Sequence, residues 1–142
     1  AQESRGLGDV YKRQDFATLT GACVSALGVV RSGMIGNDQE WMNRVFQAAE
    51  RVHERVWQLP ADEDYARQLR SDVADMKNVG GPEGGAITAG LFIKQFIKGN
   101  TPWIHFDIAG TAFKEHKDET GFVGATGTGI KTVLELIRGG KI

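Results

Sequence analysis

The sequence predicts an α/β fold in which a mostly parallel sheet is flanked by helices, and three observations lead to it. Short apolar runs of strand type alternate along the chain with segments of helical period, the order that builds strand–helix–strand units. The run WIHFDIAG, Trp103 to Gly110, is apolar-rich on successive residues, as suits a strand covered on both faces. The 19 glycines are clustered, and small residues follow directly on two of the strand-type runs.

Taken in order, FATLTGA (Phe16 to Ala22) reads as the end of a buried strand running into a glycine turn. Val24 to Leu27 suits a short helix and Val29 to Ile35 a second extended piece. Asn37 or Asp38 supplies the side-chain oxygen that caps the next helix. In that helix Trp41, Val45, Ala48, Ala49 and Val52 recur at the spacing of one face. Arg44, Gln47, Glu50, Arg51 and Glu54 fill the others. Trp57 to Pro60 breaks the pattern, and Asp62 to Leu69 makes a short helix. Ser71 to Gly85 is polar and rich in Gly and Pro, a loop. Ala86 to Ile97 is a helix apolar on most faces, which implies burial. After the Trp103 run, Thr111 to Thr126 reads as a long loop, and Gly127 leads into a last helix, Thr128 to Arg138.

The 142 residues are 41% hydrophobic and 25% charged with net charge −1, the composition of a globular domain rather than a disordered or membrane-embedded chain. No basic cluster points to nucleic acid, and no apolar run has the length of a membrane span. Neither partner is expected. The single Cys23 allows no internal disulfide and suits a reducing, cytoplasmic setting.

The first residues do not match the rest. SRGLGDVYKRQ, Ser4 to Gln14, has no apolar period, no capping signal and no strand pattern. Every one of its residues fits one reading frame of the adapter used in transposon-based sequencing libraries, which it resembles in translation. Residues 1–14 are therefore expected to be an artefact or a disordered tail, and residues 15–142 the domain; such scars are left out of fold reasoning.

Candidate chemistry is sparse. His53, His105 and His116 are far apart and form no metal-binding pair; His53 is expected on a helix surface and His105 in or beside a strand. Cys23 reads as a small buried residue. GATGTGIKT, Gly124 to Thr132, is similar to a phosphate loop, but Ile130 separates the second glycine from the lysine and no strand precedes it. A tight glycine turn opening the last helix is the better reading. Thr18 to Gly21 and Ala109 to Ala112 each follow a strand's carboxyl end, where open α/β sheets bind ligands. Small residues there let backbone groups face a ligand, although two tight turns would look the same.

Three stretches resemble the leucyl (cytosol) aminopeptidase family: ATLTGAC…ALG at Ala17 to Gly28, ADMKNVG…GGAITAGLF at Ala74 to Phe92, and W-x-H-x-D-I-A-G-T-A at Trp103 to Ala112. GATGTGIKTVLELI is similar to that family's closing segment, and the whole resemblance covers Asp15 to Ile137. It implies the C-terminal part of the catalytic domain of an enzyme that removes N-terminal residues, leucine-type, from peptides with two divalent metal ions (Mn or Zn). The family's metal ligands and catalytic arginine lie largely in an N-T-D-A-E-G-R segment that this chain does not contain. No metal ligand and no catalytic residue is therefore carried over, no metal is expected to be bound by this fragment, and the chain alone is expected to be inactive. The substrate cleft is carried over: Thr18, Leu19 and Gly21 match the turn whose backbone holds the peptide, and Ala109 and Ala112 match the pocket for its first side chain. Family members can carry methionine where Ala112 stands. Asp107 is not a metal ligand in the family motif and reads as structural. The resemblance further implies a cytoplasmic homo-hexamer acting on peptides. The alternative is a non-catalytic α/β domain that binds a peptide or another partner.

Overall fold

The computed structural model describes residues 12–117 and 121–140. Ser4 to Tyr11, most of the adapter-like stretch, lie outside the described residues. Four strands form one sheet in the order β1-β4-β2-β3, with β1 at Arg13–Ala17, β2 at Ser32–Gly36, β3 at Val56–Gln58 and β4 at Trp103–Asp107. β1 runs parallel to β4 and β2 parallel to β3, while β2 and β4 meet antiparallel. The sheet is thus mostly parallel, flanked by helices.

β4 lies between β1 and β2, and all five of its residues are buried. Successive side chains of a strand point to opposite faces. Ile104 and Phe106, with Met34 of β2, pack on Trp41, Val45, Ala48 and Ala49 of α2 (Gln39–Arg51) and Leu136 of α5 (Ile130–Arg138). Trp103 and Ile35 face the other way, onto Leu91 of α4 (Gly85–Lys94) and Leu69 behind α3 (Glu63–Ala66). Two covered faces explain why β4 reads as a continuous apolar run.

Asp38, rather than Asn37, caps α2, accepting the Trp41 amide at 2.8 Å. Asn37 instead ties the strand ends, its Oδ1 accepting the Trp103 amide at 2.7 Å. α2 ends in a two-bond turn in which His53 N–H donates to the Glu50 carbonyl and Glu54 N–H to the Ala49 carbonyl. His53 therefore lies past the helix, not on it, with φ 59° in the left-handed region where glycine is usual.

Several expectations need correction. Trp57-Gln58 does not merely break a helix; with Val56 it forms the edge strand β3, two of whose three residues are exposed. The expected loop from Thr111 to Thr126 contains a two-stranded hairpin, β5 (Phe113–Lys114) with β6 (Gly124–Ala125). α4 stops at Lys94 instead of Ile97, and α5 starts at Ile130 instead of Thr128. β1 is half-buried and, among the described residues, pairs on one side only. It also begins before Asp15: Arg13 pairs with Trp103 and Gln14 with Ile104, and Lys12 Nζ sits 4.5 Å from the centre of the Trp41 ring. A strand ladder is made by backbone groups, so these two residues extend it without a side-chain pattern of their own. No helix among the described residues is long and apolar enough to cross a membrane.

Candidate functional site

β1 and β4 end side by side, Ala17 opposite Asp107, and the two small-residue turns leave the sheet from that point. The first turn is shaped by Thr20, which caps α1 (Gly21–Leu27) by accepting the Cys23 amide at 3.0 Å. In the second, the Thr111 and Ala112 amides both return to the Ile108 carbonyl, at 3.1 and 2.9 Å.

Asp107 joins the two turns. Its buried Oδ1 accepts the amides of Leu19 (3.1 Å), Thr20 (3.4 Å) and Ala109 (3.2 Å), and its Oδ2 accepts the Thr20 hydroxyl at 2.6 Å. Leu19 and Ala109, two of the expected cleft residues, thus meet on one carboxylate. Thr18 and Gly21 are exposed beside them, and a Cβ added at Gly21 would meet nothing within 4 Å. Ala112 is half-buried, and its carbonyl accepts the Thr126 amide at 2.9 Å. A cavity of about 610 Å³ opens beside Ala109, lined also by Val24, Val29, Gly110 and Phe113, and by Thr111 and the polar run from Lys114 to Lys117, which includes His116. Thr18, Leu19, Gly21 and Ala112 are not in its wall. The sequence reading missed Val24, Val29 and Phe113, and only the hairpin of β5 and β6 brings Phe113 there.

With donors on both oxygens, Asp107 is tied to protein groups and not free to ligate a metal. Among the described residues no group of three or more His, Cys, Asp or Glu side chains is arranged to hold a metal ion. The described residues do not by themselves fit the pair of divalent ions that the resemblance implies. His105 is buried in β4 with Nδ1 2.5 Å from Asp15 Oδ1, while Asp15 Oδ2 accepts the Trp103 indole N–H at 2.6 Å. Cys23 is buried, as the sequence suggested; burial pushes its thiol up from the ordinary range and the nearby Asp107 charge adds to this, against a lowering backbone bond from Gly33.

The phosphate-loop look-alike is occupied from within. Gly129, φ 95°, opens α5 directly, and Glu54 reaches its first turn. Glu54 Oε2 accepts the Thr132 amide at 2.8 Å and the Thr132 hydroxyl at 2.7 Å, and Oε1 lies 3.4 Å from the Lys131 amide. The Ile130 and Val133 amides donate to the Gly127 and Gly129 carbonyls. All the early amides are therefore used, and a protein carboxylate stands where a phosphate would bind. Replacing Glu54 with alanine is expected to cost about 2 kcal/mol, from the loss of charge-assisted bonds to a helix start. Urea denaturation of the two chains measures this; an unchanged midpoint would show that the carboxylate does not cap α5.

Residues 12–134 match the catalytic domain of the cytosol aminopeptidase family. Among curated relatives, a probable cytosol aminopeptidase of Koribacter versatilis is 45% identical over 124 residues, spanning 87% of this chain and 24% of the relative. One from Clostridium perfringens is 48% identical over 122 residues, spanning 86% and 24%. Among solved structures, the bottromycin maturation enzyme BotP in complex with Mn superposes with a TM-score of 0.87 at 34% identity, over 93% of this chain and 29% of that one. A tomato leucine aminopeptidase mutant gives 0.80 at 38% identity, over 89% and 24%. The chain spans about a quarter of the length of the curated relatives it matches. Family match, curated relatives and structural superposition agree: this chain belongs to the cytosol aminopeptidase family, as part of its catalytic domain.

Proposed function

We propose that this chain is the substrate-cleft portion of an aminopeptidase that releases N-terminal residues, leucine-type, from peptides. The observation that carries the reading is the meeting of the Thr18–Gly21 and Ala109–Ala112 turns at the carboxyl ends of β1 and β4, beside an open, largely apolar-walled cavity. Thr18, Leu19 and Gly21 offer backbone to the peptide main chain; Ala109, in the cavity wall, leaves room for its first side chain, and Ala112 is assigned to the same pocket by the family resemblance. Small residues suit that task because a Cβ-poor wall admits an aliphatic group and lets backbone polar groups approach it. By the family resemblance the complete enzyme would act as a cytoplasmic hexamer with two divalent ions, Mn or Zn, held by residues other than those described here, and such ions would supply Lewis-acid chemistry. The Mn complex of BotP supports a divalent metal and the cytosol aminopeptidase names of the relatives support the setting, while the pair of ions and the hexamer rest on the family resemblance.

The chain alone is expected to release no leucine from leucyl p-nitroanilide in a chelator-sensitive way. Residues 12–134 grafted in place of the matching segment of the full-length Koribacter relative are expected to give Mn-dependent, chelator-sensitive release. Turnover by the isolated chain would overturn the first expectation. A folded hybrid without activity would favour a non-catalytic peptide- or partner-binding domain.

A further inference from the structure

We propose that Asp107 is the positioning residue of the substrate cleft, locking its two turns into one body and turning the backbone acceptors of the first turn outward; the proposal rests on the aminopeptidase reading of that cleft. Asp107 is 2% exposed, and its carboxylate takes three amides and a hydroxyl drawn from segments 87 and 88 residues away and from Ala109 beside it. A trans peptide unit is planar, with its N–H and C=O on opposite sides, and no described peptide bond is cis. With the Leu19 and Thr20 amides drawn inward, the carbonyls of Thr18 and Leu19, which share those units, face away from Asp107. Among the described residues no group donates to either carbonyl. The second turn differs: the Ile108 carbonyl, partner of the Ala109 amide, is already used by Thr111 and Ala112.

The geometry therefore leaves two adjacent acceptors at the end of β1, suited to the N–H donors of an extended peptide. Asp107 works through the turn, not by contact with substrate. Since it orients non-reacting parts of the peptide, its loss should weaken ground state and transition state together and appear in KM.

Two measurements test this. In the hybrid, Asp107→Asn is expected to raise KM for the tripeptide Leu-Gly-Gly about tenfold with kcat changed less than about twofold. In the isolated 142-residue chain, the same substitution is expected to speed hydrogen exchange at the Leu19, Thr20 and Ala109 amides together, by about tenfold or more, while the Ile104 and Phe106 amides keep their protection. Should Asp107→Asn not fold, Thr20→Val removes the hydroxyl from the cluster together with the cap of α1, so the deciding readout is the second turn, where the Ala109 amide is expected to loosen as well. An unchanged KM in an active hybrid, or loosening confined to the first turn, overturns the positioning role alone. An inactive parent hybrid overturns the aminopeptidase reading, and this proposal with it.

Discussion

Gly110→Ala is expected to cost about 3 kcal/mol or more, a large fraction of the stability ordinary for a domain of this size. A Cβ at this buried position would lie 2.2 Å from the Gly28 carbonyl oxygen, 3.2 Å from its carbon and 3.4 Å from Val29 Cα. All three are backbone atoms, so no rotamer change relieves the clash. Relief needs the turn after β4 to separate from the turn after α1, where Gly28 itself has φ 65°. Gly21→Ala is the matched control, because the same added methyl meets open space there. Urea midpoints of the two variants decide the matter; equal stability would mean that the two loops do not touch in solution.

Trp103 carries the second large effect. It is fully buried on β4, packed with Ile35, Leu69 and Leu91, and its indole N–H donates to Asp15 at 2.6 Å. Trp103→Ala removes packing and the bond together and is expected to cost about 3–5 kcal/mol. Trp103→Phe keeps most of the ring volume and leaves Asp15 Oδ2 without that donor, for an expected loss of about 1–2 kcal/mol. Thermal or urea unfolding separates the two contributions, and equal losses would place the whole effect in the hydrogen bond. Trp103→Phe also frees one oxygen of the carboxylate that meets His105, so it should loosen the β1–β4 seam more than the β2–β4 seam.

What could be read from sequence depended on whether the signal was local. α2 was legible because its apolar positions repeat with the helix and its cap lies three residues before the amide it binds. β4 was legible because burial on both faces demands a continuous apolar run. β3 was not, since a three-residue edge strand with exposed Trp57 and Gln58 has no period to show. The hairpin strands, two residues each, are shorter still. The turns of the cleft stood out as small residues after strands, whereas the carboxylate that unites them did not. Asp107 and Leu19 are 88 residues apart and Glu54 and Thr132 are 78 apart, and no single-sequence pattern links such pairs. Reading Asp107 as structural fits its bonds, yet the segment it holds lay beyond the reach of the motif.

The place of β4 in the sheet has a consequence for the order of folding. β2 and β3 are close in sequence, Ser32 pairing with Val56, and with α2 between them they form a local unit. Among the described residues β1 pairs only with Trp103–Asp107, Asp15 lying opposite His105 at a separation of 90 residues. Closing so long a loop slows folding more than it weakens the folded state. The β2–β3 unit is therefore expected to form early, and the docking of β1 on β4 to be the late event among these strands.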